Sequence, residues 1–325
     1  MRNGTAADYL LIADISDLTT RCCALAGEYG LEPLVVHDGQ AAIDALHSRG
    51  LPRLMIVNPS LPKIDGFAVI AELRKLATAD RVPVLVTSSF AALRGHATRL
   101  QSRLGIAAVF EPTIETDRLR QVLRGAMVAS DPIVFIDLED PSEPSVREEA
   151  RLAELEQLVD LKCPDATLET ELAAIAREFG VSTVLVTLVD RDRTVLKAAY
   201  GLPRELVGRD SVPRNQSLCQ HVVEATSPAP LIIPDAASHP AFADDPLVRA
   251  GVIGSYVGVP LLSPAGNVLG SLCLIDQLPW LGSAAMITAL TARARAVMAA
   301  LLVMSATSVD TWREDRASRA PITAS

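Results

Sequence analysis

The chain has 325 residues, 49% of them apolar and 21% charged, which suits two domains that each bury a core. Its formal net charge of −9 and the lack of a Lys/Arg cluster argue against nucleic acid or an anionic membrane as partner. No signal-peptide hydrophobic segment opens the chain and no unbroken apolar run is long enough to span a bilayer, so the sequence predicts a cytoplasmic protein. Cys22, Cys23, Cys163, Cys219 and Cys273 form neither a C-x-x-C pair nor a disulfide framework and read as reduced thiols.

After a short tail (1–8), residues 9–128 alternate short apolar strands with amphipathic helices, the pattern of a parallel sheet covered on both faces. Residues 10–13 form a strand ending at Asp14, and Asp17 is placed to cap a helix running to Gly30. Residues 34–37 are the second strand, and Asp38-Gly39 turns into a helix around Ala42, Ile43 and Leu46. Residues 54–57 have the β-branched content of a buried parallel strand. That strand stops at Asn58, and the chain turns through Pro59 and Pro62 to Asp65-Gly66. A helix with Phe67, Val69, Ile70, Leu73 and Leu76 on one face follows. Residues 82–88 and 106–110 supply the fourth and fifth strands, and a helix over 115–127 closes the unit.

The stretch Leu54-Met-Ile-Val-Asn-Pro-Ser-Leu-Pro-Lys-Ile-Asp-Gly-Phe67 resembles the phospho-acceptor segment of response-regulator receiver domains, the CheY-like fold. That resemblance implies a five-stranded, doubly wound parallel sheet with its site at the carboxyl ends of the strands. At the family's functional positions this chain departs from the pattern. Asp14 is followed by Ile15 instead of a second acid, Asn58 replaces the acceptor aspartate, and Glu111 replaces the lysine before Pro112. Ser88, with Thr87 beside it, keeps the switch hydroxyl. An amide cannot attack phosphorus to give an acyl phosphate, and one carboxylate is a weak Mg²⁺ site. The expectation is a pseudo-receiver, a fold kept as a binding surface. Asp17 is an alternative source of the missing carboxylate, and the Ser88 hydroxyl has the alternative task of satisfying local backbone. Asn58 is expected to donate to Glu111 or accept from Ser88, fixing the face formed by 89–104, 107–110 and 116–127 for a protein partner.

Residues 129–145 are an acidic, proline-marked linker with a short extended segment at 133–136. Helices follow over 146–161 and 167–179, and from Val181 the pattern becomes antiparallel sheet. Strands at 181–189 and 195–200 meet across Asp190-Arg-Asp-Arg193, and a second pair, 254–262 and 268–275, encloses Ser263-Pro-Ala-Gly-Asn267. Between the pairs lie a helix at 218–225, a strand at 231–233 and a loop over 234–246. The segments Ser217-Leu-Cys-Gln-His221, Ile233-Pro-Asp235, His239-Pro-Ala-Phe242, Gly258-Val-Pro-Leu261 and Leu269-Gly-Ser-Leu-Cys-Leu-Ile-Asp276 resemble a bacterial GAF group.

The GAF resemblance covers 146–304 and implies an α+β sensor fold with a ligand cavity on one face of its sheet. Cys219, His221, Asp235 and Tyr256 are the candidate polar groups of that cavity, for a small molecule of unidentified class. Cys219, His221, His239 and Cys273 are an alternative metal set without a recognised spacing, and no metal or cofactor is predicted. Gln220 separates Cys219 from His221, removing the direct Cys-His pair through which phytochrome-like GAF domains attach a bilin.

In the last helix Ile287, Leu290, Ala294, Val297, Leu301 and Met304 recur at spacings of three and four. The stripe suits either packing on the GAF sheet or a helical homodimer seam, and the flanking helices favour the dimer. Residues 305–325 read as a polar, disordered tail. The primary reading is a non-enzymatic, two-component-type signalling protein, a phosphorylation-independent receiver joined to a GAF sensor and dimerisation module, acting through protein contacts. Two alternatives stand beside it: a small-molecule sensor whose GAF ligand controls the dimer, and a cysteine-dependent redox enzyme on the GAF scaffold.

Overall fold

The computed structural model describes residues 7–76, 82–128, 144–158, 168–280 and 282–318. Five strands, β1 (Ala7–Ala13), β2 (Glu32–Val36), β3 (Pro52–Val57), β4 (Val84–Thr87) and β5 (Ile106–Phe110), form a parallel sheet in the order β2-β1-β3-β4-β5. This is the doubly wound order of flavodoxin and CheY. Because side chains alternate along a strand, each strand feeds two cores. Leu10, Ile12, Leu54, Ile56 and Phe110 pack against α1 (Leu18–Glu28) and α5 (Thr116–Val128). Leu11, Ala13, Met55, Val57 and Val86 face α2 (Gly39–Arg49), α3 (Gly66–Lys75) and α4 (Ala91–Leu104).

Local chemistry sets where the helices begin. Asp38 accepts from the Ala41 N–H at α2, and Asp65 accepts from the Phe67 and Ala68 N–H groups at α3. Gly66 is required because a Cβ there would lie 2.3 Å from the Asn58 carbonyl oxygen, so α3 starts hard against the end of β3. The expected cap by Asp17 does not form. Asp17 already has helical backbone angles (φ −65°, ψ −11°), whereas a capping side chain needs an extended residue to reach back to the free N–H groups.

The second half holds α6 (Pro144–Leu158), α7 (Glu169–Phe179), β6 (Thr183–Val189), β7 (Arg193–Tyr200) and β8 (Ser211–Pro213). Next come α8 (Cys219–Val223), β9 (Leu231–Ile233), α9 (Pro246–Arg249), β10 (Ser255–Leu262), β11 (Val268–Asp276) and α10 (Ala284–Ser318). The strands form an antiparallel six-stranded sheet in the order β8-β7-β6-β11-β10-β9. One face packs on α6, α7 and α10. The other carries Leu185, Tyr256, Cys273 and Ile275, joined by Cys219, Val222 and Phe242 into an apolar cluster that continues into the α3–α4 side of the first half. The expected extended segment at 133–136 lies outside the described residues, as do 159–161 of the helix expected over 146–161.

Two expectations for the last helix change. The helix does not stop at Ser305 but runs to Ser318. Ile287, Leu290, Ala294, Val297 and Leu301 are buried by the chain's own sheet and helices, so they are not a free dimer seam. Met304 lies beyond the side chains described. A stripe at three-four spacing fits a sheet as well as a second helix, and here the sheet takes it. The segment Ala284–Val303 has the length and mean hydropathy (1.6) of a membrane-crossing helix, but much of that value comes from alanine. On the same helix Arg293 pairs with Glu171 and Glu178 at 3.1 and 2.8 Å.

Leu290→Ala and Leu301→Ala should each lower stability by about 2–5 kcal/mol in denaturant unfolding without changing the mass seen in light scattering. A drop in mass at unchanged stability would return the stripe to a subunit seam.

Candidate functional site

At the carboxyl ends of β1 and β3, Asp14 is fully buried and Asn58 is 7% exposed. The Asn58 side-chain N–H donates to Asp14 Oδ1 at 2.9 Å, and Asn58 Oδ1 accepts from the Ser60 N–H at 2.9 Å. Asp14 Oδ1 also accepts from the Ile15 and Ser16 N–H groups at 2.7 and 3.2 Å, and Oδ2 accepts from the Ser16 hydroxyl at 2.6 Å. The expected pairing of Asn58 with Glu111 or Ser88 is therefore replaced by one with Asp14. Four donors hold this carboxylate, and a cation there would have to displace them. Ile15 instead packs against the apolar clusters. The Ser88 hydroxyl accepts from the Phe90 N–H at 3.2 Å, a local contact at the start of α4.

Glu111 is turned toward Arg94 of α4, an ion pair at 2.6 Å with both side chains 5% exposed. Arg94 also donates to the Ser88 carbonyl at 2.9 Å, tying the end of β4 to its helix. Sequence reasoning missed Arg94, because nothing in helical spacing pairs it with a residue on a different strand. Arg21 of α1 donates to the carbonyls of Pro112 and Ile114, fixing the loop after β5.

The second half of the chain covers the mouth of this pocket. The Ser60 hydroxyl accepts from the Ile232 N–H at 2.7 Å, the Thr226 N–H donates to the Ser89 carbonyl at 2.9 Å, and the Ser89 and Ser227 hydroxyls lie 2.8 Å apart. Phe67 of α3 meets the His239 ring edge-on at 6.0 Å. A cleft of about 520 Å³ remains, bounded by Ser16, Asp17, Arg21 and Asn58 on one side and Ser227 and Pro230 on the other. His239 is fully buried, and its Nδ1 accepts from the Ala241 N–H at 3.2 Å. Burial pushes its pKa down to about 4, with His96 adding to the shift and Asp235 opposing it.

The four GAF cavity candidates do not stay together. Cys219, at the start of α8, lies with Sγ 3.2 Å from Cys273 Sγ on β11, and the Tyr256 hydroxyl of β10 is 3.5 and 3.4 Å from the two sulfurs. Ser271 Oγ is 2.9 Å from Cys273 Sγ and 3.1 Å from Thr187 Oγ1. Ser271 and Thr187 were missed, although i, i+2 alternation from Cys273 puts Ser271 on the same face and the β11–β6 register sets Thr187 opposite it. His221 packs on Phe242 at 5.5 Å, and Asp235 accepts from the Ala237 and Ser238 N–H groups. The alternative metal set is likewise divided, since His239 also lies on Phe242, at 5.0 Å. Among the described residues no three His, Cys, Asp or Glu side chains converge as metal ligands. Hydrogen bonding from Cys273 holds the Cys219 thiol below its usual range against the effect of burial, while burial raises Cys273 and Tyr256.

Residues 164–301 match the family model of the GAF domain. A cyclic di-GMP phosphodiesterase of Pseudomonas aeruginosa is 32% identical over 134 residues, 41% of this chain, and the chain spans 22% of that protein's length. Among solved structures, the receiver domain of NtrX from Brucella abortus is 25% identical, covering 38% of this chain and 100% of that one with a TM-score of 0.33. The GAF domain of an Acinetobacter phosphoenolpyruvate-protein phosphotransferase is 22% identical, covering 48% and 92% with a TM-score of 0.33. The C-terminal half is a GAF domain, and the N-terminal half has the receiver fold.

Glu111→Gln should cost about 3–5 kcal/mol because it leaves Arg94 buried without its counter-charge. The double change Arg94→Met, Glu111→Leu should recover most of that loss in urea unfolding. Acid should act through His239. Its folded pKa, about 4, lies below the ordinary value of about 6.5, so its contribution is complete above pH ~6.5 and is lost as pH falls toward 4. The loss should reach about 3 kcal/mol and shrink in His239→Asn, which keeps an acceptor but does not titrate. A wild-type stability unchanged between pH 7 and 5 would contradict this.

Proposed function

We propose that this chain is a non-catalytic signalling protein whose receiver takes no phosphoryl group and whose input enters through the GAF domain. The observation that carries the reading is the Asn58–Asp14 hydrogen bond. The residue at the acceptor position is not a nucleophile, and its amide occupies the carboxylate that a cation would use. The Arg94–Glu111 pair supports the same reading, because the cation near the end of β5 is bound to an internal acid instead of reaching into the pocket. The Ser60 and Ser89 contacts to 226–232 give the GAF half direct purchase on the loops through which receivers change shape. Output then depends on protein contacts made by the joined surface.

Incubation of the full chain with acetyl phosphate and Mg²⁺, followed by intact-mass measurement, should show no added phosphoryl group. A stoichiometric, hydroxylamine-labile adduct would overturn the reading. Asn58→Asp should also remain unmodified and lose stability, because it sets a second carboxylate against buried Asp14.

A further inference from the structure

The polar cluster inside the GAF half has no part in the receiver pocket, and its geometry is that of a poised dithiol. α8 crosses the sheet so that Cys219 points at Cys273, with the sulfurs 3.2 Å apart. A disulfide is about 2.05 Å long, so closure needs the sulfurs to approach by about 1.2 Å. The surroundings keep the pair in register. Ser271 fixes Cys273 from below, and the Tyr256 hydroxyl reaches both sulfurs. Tyr256 gets there because position 258, beside Cys273 in the β10–β11 register, is glycine, and a Cβ on Gly258 would lie 2.3 Å from the tyrosine oxygen.

We propose that Cys219 and Cys273 form a redox modification site, closed to an intramolecular disulfide by hydrogen peroxide. Cys219 attacks as the thiolate, breaking the O–O bond. Its sulfur becomes a sulfenic acid, and the departing hydroxide takes up the proton that Cys219 gave up. Cys273 then loses its proton as its sulfur attacks the sulfenic sulfur; the S–S bond forms, the S–O bond breaks, and the oxygen leaves as water. Two thiols are oxidised and one peroxide is reduced to two waters. Hydrogen bonds to Cys219 favour its thiolate, while burial disfavours that of Cys273, which assigns the attacking and resolving roles. Burial also selects the oxidant. Cys219 is 5% exposed and Cys273 fully buried, so a neutral molecule near the size of water reaches them by small local openings and a tripeptide disulfide does not. The bond would pull on the first turn of α8, which leads directly into the segment holding Thr226 and Ser227 against the receiver.

The test uses the full wild-type chain, reduced, desalted and exposed to near-stoichiometric hydrogen peroxide. It is then denatured in alkylating agent and digested without reduction. The expected result is a peptide pair linked through Cys219 and Cys273, with an intact mass lower by two hydrogens before alkylation. A parallel arm with glutathione disulfide should leave both thiols free. Tyr256→Phe should slow linkage several-fold and move its pH–rate profile to higher pH. The proposal is overturned if peroxide leaves both thiols alkylatable or drives either to sulfinic acid without the link. It is also overturned if glutathione disulfide forms the link as readily as peroxide. An unchanged rate and profile in Tyr256→Phe would overturn the role given to the tyrosine.

Discussion

A carboxylate without solvent contact has to be compensated, and Asp14 at the end of β1 is in that position. In a metal-dependent pocket a cation would do this. Here the chain supplies the compensation itself, from two backbone N–H groups, the Ser16 hydroxyl and the Asn58 amide. Once Asn58 is committed to Asp14, its own oxygen is free to hold the Ser60 N–H. That places the Ser60 hydroxyl where the Ile232 N–H of the GAF half finds it. A single amide thus links the compensation of a buried charge to the docking of the second domain.

The fifth strand follows the same logic with the charge reversed. Glu111 is acidic at a position where the resemblance leads one to expect lysine, and a lone buried acid is costly. Arg94 answers it from the first turns of α4 and also bonds the Ser88 carbonyl. The switch region between β4 and α4 is therefore clamped from two sides. Ser88 is occupied by local backbone on the inside, while Ser89 is held by Thr226 and Ser227 on the outside. A lysine at position 111 would meet Arg94 across a dry contact, so reverting that position alone sets two cations together.

The five parallel strands were legible because each apolar run ends at a polar residue or turn, as at Asp14, Asn58 and Glu111. The GAF sheet was legible from its two strand pairs. The three-residue β8 and four-residue α9 were not, since elements that short carry no period; α9 rests on the Asp245 cap and Pro246. In the receiver pocket the altered positions could be read from the sequence, but not the side chains they would choose. Asn58 was assigned to Glu111 or Ser88, but Glu111 is bound by Arg94 of α4 and the Ser88 hydroxyl by the neighbouring Phe90 N–H. The α10 stripe shows the same limit. Its period specifies an apolar face and leaves open whether the chain's own sheet or another copy covers it.

What joins the halves is mixed in character, and that bears on how a signal could cross. Serine contacts at the seam are short but neutral, each worth about 0.5–1.5 kcal/mol net. The Phe67–His239–Phe242 ring cluster adds apolar contact around an imidazole that burial holds neutral. Such a seam is strong enough to define one arrangement and weak enough to yield to a modest change in the GAF half. The apolar cluster that runs through it includes Cys219, Cys273 and Tyr256 as well as Phe67 and Val69. Interiors are close-packed, so a displacement on the sheet face has few voids to absorb it before it reaches α3. The pocket around Asp14 and Asn58 is thus mechanically connected to the thiols and hydroxyls gathered around Cys219 and Cys273.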